Sequence, residues 1–237
     1  PEREVVAEER RQRTDSNPQA QLYEIFNATL WTTSAYRNPI IGWMPEIQSW
    51  TLDDLKKWYA LYYAPNNATL VIAGDVDPNT TLTLVEKYFG AIPHGEKITH
   101  PNEFEVPQKG EKRVDLALKA NMPLLYMAYK VPSINSAQKR DEVYALLLAS
   151  LILDGSSSAR LSKNLVRDAQ IALQASNYYN FDMRFDTTFM FAAVPAHKSS
   201  LEELELALKD EVARLRETLV TTEEIERVLN RYRAAKV

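Results

Sequence analysis

The sequence predicts an α+β fold: a mostly antiparallel sheet with helices packed on one face. Three observations predict it. Capped helical stripes fill most of residues 2–90. Apolar or alternating runs gather at 111–131 and 171–195, and they adjoin as hairpins more than they alternate with helices. A stretch marked by Pro and Gly, residues 91–110, separates the two patterns.

Taken in order, a helix is expected from about Glu2 to Thr14. Asp15-Ser16-Asn17-Pro18 ends it and starts the next, with Asn17 as N-cap and Pro18 at the first helical position. The second helix covers about Pro18–Leu30, with Leu22, Ile25, Phe26 and Leu30 on an inward stripe. Tyr36–Trp43 reads as an irregular but apolar loop, expected to pack against something. Thr51 with Asp54 resembles a capping box and opens a helix through about Tyr63, with Trp50 before it as a staple residue. Ala68–Gly74 reads as a buried strand stopped by Asp75–Pro78, and a helix follows from about Asn79 to Phe89, closed by Gly90.

After the linker, Glu111–Ala120 alternates, with Val114, Leu116 and Leu118 on one face, and Leu124–Val131 is a second strand. Ser136–Leu153 is a mostly apolar helix broken by Asp154–Ser158, and Ala159–Asp168 is a short helix. Two long strands, about 171–181 and 187–195, form a hairpin across Asp182–Asp186. Ser199 and Ser200 cap a helix through about Leu219, and Thr221 with Glu224 forms a capping box for the last one.

Composition narrows the function. The chain has 237 residues, enough for one large domain or two small ones. A net charge of −4 and a pI near 5.6 argue against a nucleic-acid binder, and no basic patch offsets them. With no cysteine there are no disulfides and no thiolate metal sites. No apolar run approaches the roughly 20 residues that span a bilayer. The chain starts directly in a helical pattern and ends on Ala234-Ala235-Lys236-Val237 without a cap, so it reads as a segment of a longer polypeptide.

Few residues suggest chemistry. His94 and His100 lie in the linker and His197 at a strand-to-helix corner, with no helical spacing between any two. They make no complete zinc site and no Ser–His–Asp set. Gly155 with its serines lacks the Lys of a phosphate loop. Gly74-Asp75-Val76-Asp77 is either a strand stop or an acidic metal turn. The opening helix is more unusual. Glu2 and Glu9 are seven apart, about two turns, so both carboxylates share a stripe with Val5 and Val6 on or near it. A solvated charged helix with pairs such as Glu9 with Arg13 accounts for the spacing. So does a carboxylate pair that serves a metal.

Several stretches carry a resemblance: Glu2–Arg11, Pro39-Ile40-Ile41-Gly42, Thr51–Tyr59, Tyr62–Pro78 and Lys87–Pro93. Together they resemble the pitrilysin/insulinase family of zinc metallopeptidases, which includes the mitochondrial processing peptidase and its bacterial relatives. The resemblance covers nearly the whole chain, by motif in the first half and by pattern in the second. It implies peptide hydrolysis by a zinc-activated water. In this family the motif His-x-x-Glu-His supplies two zinc ligands and the general base, and a later Glu is the third ligand. Matching residue by residue places that ligand on Glu9 and a supporting glutamate on Glu2, with Glu8 the competing candidate one residue away. The sequence holds no His-x-x-Glu-His.

By the same resemblance, residues 1–90 are the tail of the zinc-bearing layer and 91–110 a linker. Residues 111–237 are a second α+β layer like the family's inactive C-terminal domain, truncated in its last helix. The chain alone is then expected to bind no zinc tightly and to be inactive. Zinc belongs to the full-length parent; no ligand within this segment supplies the catalytic base. A catalytically silent chamber half that assembles with an active subunit is the alternative. Inactive halves carry Arg and Tyr seven apart after the Gly/Ser break. Arg167 takes the Arg position on the substrate side, but Gln174 stands where Tyr is expected. A solvated pair, Arg160 and Arg167, is the plainer reading of the same spacing. Expected partners are a peptide or unfolded polypeptide, the missing upstream layer and a second peptidase half, with self-association of the truncated chain and no nucleic acid. The resemblance suggests the bacterial periplasm, while the lack of cysteine is equally compatible with the cytoplasm.

Overall fold

The computed structural model describes residues 2–99 and 104–234. They fall into two compact units, one of residues 1–12 and 39–102, the other of 13–38 and 103–237. His100, the linker residues 101–103 and the terminus at 235–237 lie outside the described residues.

The first unit holds α1 (Glu2–Arg10), α3 (Met44–Ser49), α4 (Leu52–Tyr62) and α5 (Pro78–Phe89). The expected capping box at the start of α4 forms, and α5 has a cap that was not expected. Thr51 Oγ1 accepts the Asp54 amide at 3.2 Å while the Asp54 carboxylate accepts the Thr51 amide at 3.0 Å. Asp77 caps α5 by accepting the Thr80 amide at 2.8 Å. The Asp77 carboxylate of the Gly74–Asp77 turn thus serves a helix start. Helix α3 follows the expected loop and was not itself expected. Its start is set by the Glu46 carboxylate, which reaches back to the Trp43 amide at 3.3 Å, a cap hidden behind Pro45 in the sequence. The loop before it is not packed throughout, since Ile40 is fully exposed.

The second unit holds α2 (Pro18–Leu30), β1 (Leu125–Val131), α6 (Arg140–Asp154), β2 (Ala172–Tyr179), β3 (Thr187–Pro195), α7 (Leu201–Glu217) and α8 (Thr222–Ala234). The sheet is antiparallel with order β1-β3-β2. Strand β3 is central because its alternation is the cleanest: every odd position from Thr187 to Pro195 is buried. Tyr129, Phe189 and Tyr179 align across the sheet, as do Leu125, Ala193 and Ala175. Tyr179, Phe189, Ala175 and Ala193 of these rows, with Leu125 packed against them, meet Val143 and Leu153 of α6 and Leu204 and Leu208 of α7 in one core, while Tyr129 is exposed. Burying a residue such as Phe191 contributes about 2 kcal/mol through the hydrophobic effect alone. On the opposite face, Tyr126 meets Tyr23 and Phe26 of α2 at ring-centroid distances of 5.8 and 5.6 Å.

Two expected strands are not strands. Residues 68–74 and 111–120 form no ladder with any described residue. A strand is stable through its ladder, and these segments lack one. Leu70, Val71 and Ile72, expected to be buried, are exposed. Two helices also differ from expectation. Helix α6 begins at Arg140 rather than Ser136 because Ser133, Ser136 and Asn135 close a hydrogen-bonded turn first. The short helix after Ser158 is mainly a π-turn, Ser162–Asp168. Thr221 does cap α8, but the Glu224 side chain leaves the box to take the Arg160 guanidinium at 2.9 and 2.7 Å. That two-pronged pair ties α8 to the turn after α6.

The second unit has one more tie, at the end of α2. The Glu105 carboxylate accepts the amides of Thr32, Thr33 and Ser34 at 2.9–3.0 Å and the Lys130 ammonium at 2.6 Å. Both side chains are largely buried, at 4% exposure for Glu105 and 16% for Lys130. Burial pushes the Glu105 carboxyl up; Lys130 and the three amides outweigh it and hold it near 2, below its usual 4.5. A depressed carboxyl adds stability above its unfolded value and loses it as pH falls through the folded one. Stability should therefore decline between about pH 4.5 and 2, by on the order of 3 kcal/mol from this group. In denaturant titrations Glu105→Gln should flatten that window. Glu105→Ala should cost about 3–5 kcal/mol at pH 7, because Lys130 stays buried without its anion. An unchanged pH profile in Glu105→Gln would refute the assignment.

Candidate metal-ligand helix

Helix α1 presents two different faces. Ala7 and Arg10 are buried, and Arg3 lies one turn before Ala7 on the same side. This face packs on α3: the Arg10 guanidinium donates to the Gly42 carbonyl at 2.8 Å and lies 5.8 Å from the Trp43 ring centroid. Arg3 donates to the Trp50 carbonyl at 3.3 Å. Two arginines seven residues apart thus grip both ends of α3. Gly42 has φ +85°, a left-handed conformation that a side chain would strain. That turn aims its carbonyl at Arg10.

The glutamate stripe lies about 100° round the helix from this grip. Glu2 and Val5 are exposed, Val5 at 60%, and Glu9 is half-buried. The expected mixing of carboxylates with a buried apolar stripe is therefore not what the helix shows. Val5 and Glu2 are exposed, and the buried residues of the helix are Ala7 and Arg10. The competing Glu8 is exposed and engaged on its own helix. It accepts from Arg11 at 2.9 Å and Gln12 at 3.3 Å, which hold its carboxyl below the ordinary range.

The other sequence candidates stand apart. His94 and His197 are exposed and belong to different units. Arg167 is exposed and donates to the Ser157 carbonyl at 2.7 Å, bracing the serine turn. Arg160 is no solvated partner for it, being 18% exposed in its side chain and bound to Glu224. Among the described residues, no three His, Cys, Asp or Glu side chains gather where they could hold a metal ion. A catalytic zinc takes three protein ligands, so the residues present do not fit a complete centre, and no catalytic step is derived through one. The Arg3/Arg10 grip and the Arg160–Glu224 pair were missed from sequence. The seven-residue repeat of the first was visible beside the glutamates; the second spans 64 residues and left no local signal.

Comparison with known proteins places this geometry. Residues 49–232 match the family described as the peptidase M16 inactive domain. The chain is 32% identical over 231 residues to the zinc protease PqqE of Helicobacter pylori, covering 96% of this chain and 51% of that protein. It is 21% identical over 225 residues to an uncharacterized zinc protease, YmxG, of Bacillus subtilis, covering 95% and 52%. The chain thus spans about half the length of the curated relatives it matches. Among solved structures it resembles a protease from Helicobacter pylori, with a TM-score of 0.86 at 30% identity over 99% of this chain and 56% of that one. It shares its fold with a peptidase M16 inactive domain from Pseudomonas fluorescens, at a TM-score of 0.74 and 18% identity over 95% and 53%. Among the described residues no helix is long and apolar enough to cross a membrane. A small antiparallel sheet with packed helices, matched over most of its length, makes this chain a member of the peptidase M16 inactive-domain family, related to the zinc proteases.

Proposed function

We propose that the chain is part of a zinc-dependent metalloendopeptidase and supplies one arm of its metal site. Glu9 is the zinc ligand and Glu2 the supporting carboxylate that orients it. The observation that carries this reading is the division of α1 into two faces. Its arginine face is spent on α3, and the stripe with Glu2 and Glu9 lies about 100° round the helix from it. The zinc-protease names of its relatives support the same metal. The His ligands and the general base then lie in a part of the parent outside this sequence. Arg167, braced on the serine turn, would face a peptide substrate across the chamber, with the second peptidase half as the partner.

A second reading is favoured by the matched family being described as the inactive domain. On that reading the chain is a silent chamber half that assembles with an active subunit. The coding sequence ahead of Pro1 separates the two: His-x-x-Glu-His there supports the metallopeptidase, and its absence supports the silent half.

Calorimetric titration of the 237-residue chain with zinc should show no tight one-to-one binding, and the chain should cleave no peptide; a tight site would contradict the single-arm reading. In the parent, Glu9→Gln should abolish stoichiometric zinc measured by atomic absorption. Glu2→Gln should weaken zinc affinity roughly 10–100-fold, as loss of a supporting carboxylate does. Glu8→Gln should leave the zinc content unchanged, and a reversal of Glu8 and Glu9 would sink the assignment.

A further inference from the structure

The turn that carries Arg167 is held at two points by carboxylates from two different helices. Arg160 gives its guanidinium fork to Glu224 of α8 at 2.9 and 2.7 Å. Four residues on, Asn164 Nδ2 donates to both carboxylate oxygens of Glu211 of α7 at 3.0 Å. The Glu211 side chain is only 2% exposed, and Arg214, one turn along α7, supplies a balancing charge at 2.8 Å. A carboxylate removed this fully from water is costly unless it is well bonded. The start of α7 does not need it, since Ser200 and Glu203 already form the capping box there.

Asn164 is also the residue on which the π-turn closes. Its carbonyl accepts the Ala169 amide at 3.0 Å, an i→i+5 bond, and the Leu165 carbonyl accepts the Ile171 amide at 3.0 Å. The chain then leaves through Gln170, whose φ of +54° is left-handed without being glycine. A wide turn rotates by less than the roughly 100° per residue of an α-helix. Seven residues of α-helix would bring Arg167 back to the side of Arg160, toward Glu224. The π-turn at Ser162–Asp168 prevents this. Arg160 is largely buried, whereas Arg167 is exposed and donates to the Ser157 carbonyl at 2.7 Å.

We propose that Glu211 is a positioning residue: through Asn164 it holds the π-turn open and so keeps Arg167 on the outer side of the turn, available to a peptide. This rests on the reading of Arg167 as substrate-facing. Tightening the turn to α-helical register would hand the Ala169 amide to the Leu165 carbonyl. It would also rotate the turn past α7 at the expense of the Asn164–Glu211 bonds, leaving a buried carboxylate with Arg214 alone. Glu211 thereby penalises the regular helix and favours the wide one. An arginine has five N–H donors in one planar fork, so the Ser157 bond orients Arg167 and leaves other donors for a peptide carbonyl.

Peptide kinetics of the zinc-loaded parent, with zinc content measured alongside, test the role. Arg167→Ala should raise KM. Glu211→Met keeps the side-chain length and removes both acceptors, and Asn164→Leu removes the donor from the other side of the contact. Each should raise KM at least about tenfold with kcat and zinc content unchanged, the size of one lost hydrogen bond to a charge. In the Arg167→Ala background neither should add a further loss, because both act only through Arg167. An additive loss, or an unchanged KM in both variants while Arg167→Ala raises it, would overturn the positioning role alone. An unchanged KM in Arg167→Ala would overturn the substrate-facing reading and this proposal with it. Should Glu211→Met not fold, Asn164→Leu decides. Hydrogen exchange adds a readout independent of activity: the Ala169 amide should lose protection in Asn164→Leu, and retained protection would overturn the proposal.

Discussion

A buried carboxylate needs partners, and the end of α2 shows how the second unit supplies them. The helix leaves its last carbonyls unpaired, and the Lys112 ammonium takes two of them. The chain just beyond turns its amides the other way, toward Glu105. Cation on carbonyls and anion on amides are sorted within a few residues. Lys130 completes the arrangement by bringing β1 to the same carboxylate, with its ammonium 5.4 Å from the Trp31 ring centroid. One residue from the linker thereby ties the end of α2 to the C-terminal end of β1. Neither could shift without stranding a charge in a largely buried place.

Helix α1 solves a different problem with the same chemistry. It is short and mostly charged, so propensity and apolar burial alone hold it weakly. Its long arginine side chains reach the carbonyls that flank α3 instead, and Arg10 is buried with Ala7 on that face. With one face fixed by the arginines, Glu2 and Glu9 lie on a stripe about 100° round the helix, Glu2 exposed and Glu9 half-buried.

The local code was legible: the caps of α2, α4, α5 and α7, the hairpin of β2 and β3, and the core alternation of β3 all follow from a few adjacent residues. What was not legible depends on pairing at a distance. Ala68–Gly74 and Glu111–Ala120 have strand sequences, yet strand formation requires a neighbour that sequence pattern does not supply. The stripe of Glu2 and Glu9 was correctly placed on one face, but which face is buried was misjudged. Val5 and Val6 suggested an apolar side, while burial went to Ala7 and Arg10. Glu224 was read as a local cap and instead serves Arg160, because a two-pronged ion pair shielded from water outweighs one backbone contact.

The central claim is that α1 lends a single carboxylate to a zinc ion held otherwise by the parent's remaining chain. A crystal structure of the zinc-loaded parent, with anomalous scattering recorded at the zinc edge, tests it most directly. The account predicts a Glu9 carboxylate oxygen about 2.0–2.2 Å from the metal, with Glu2 one turn-pair away in support and Glu8 still on Arg11 and Gln12. Zinc bound through Glu8, or a zinc site that α1 does not touch, would contradict it.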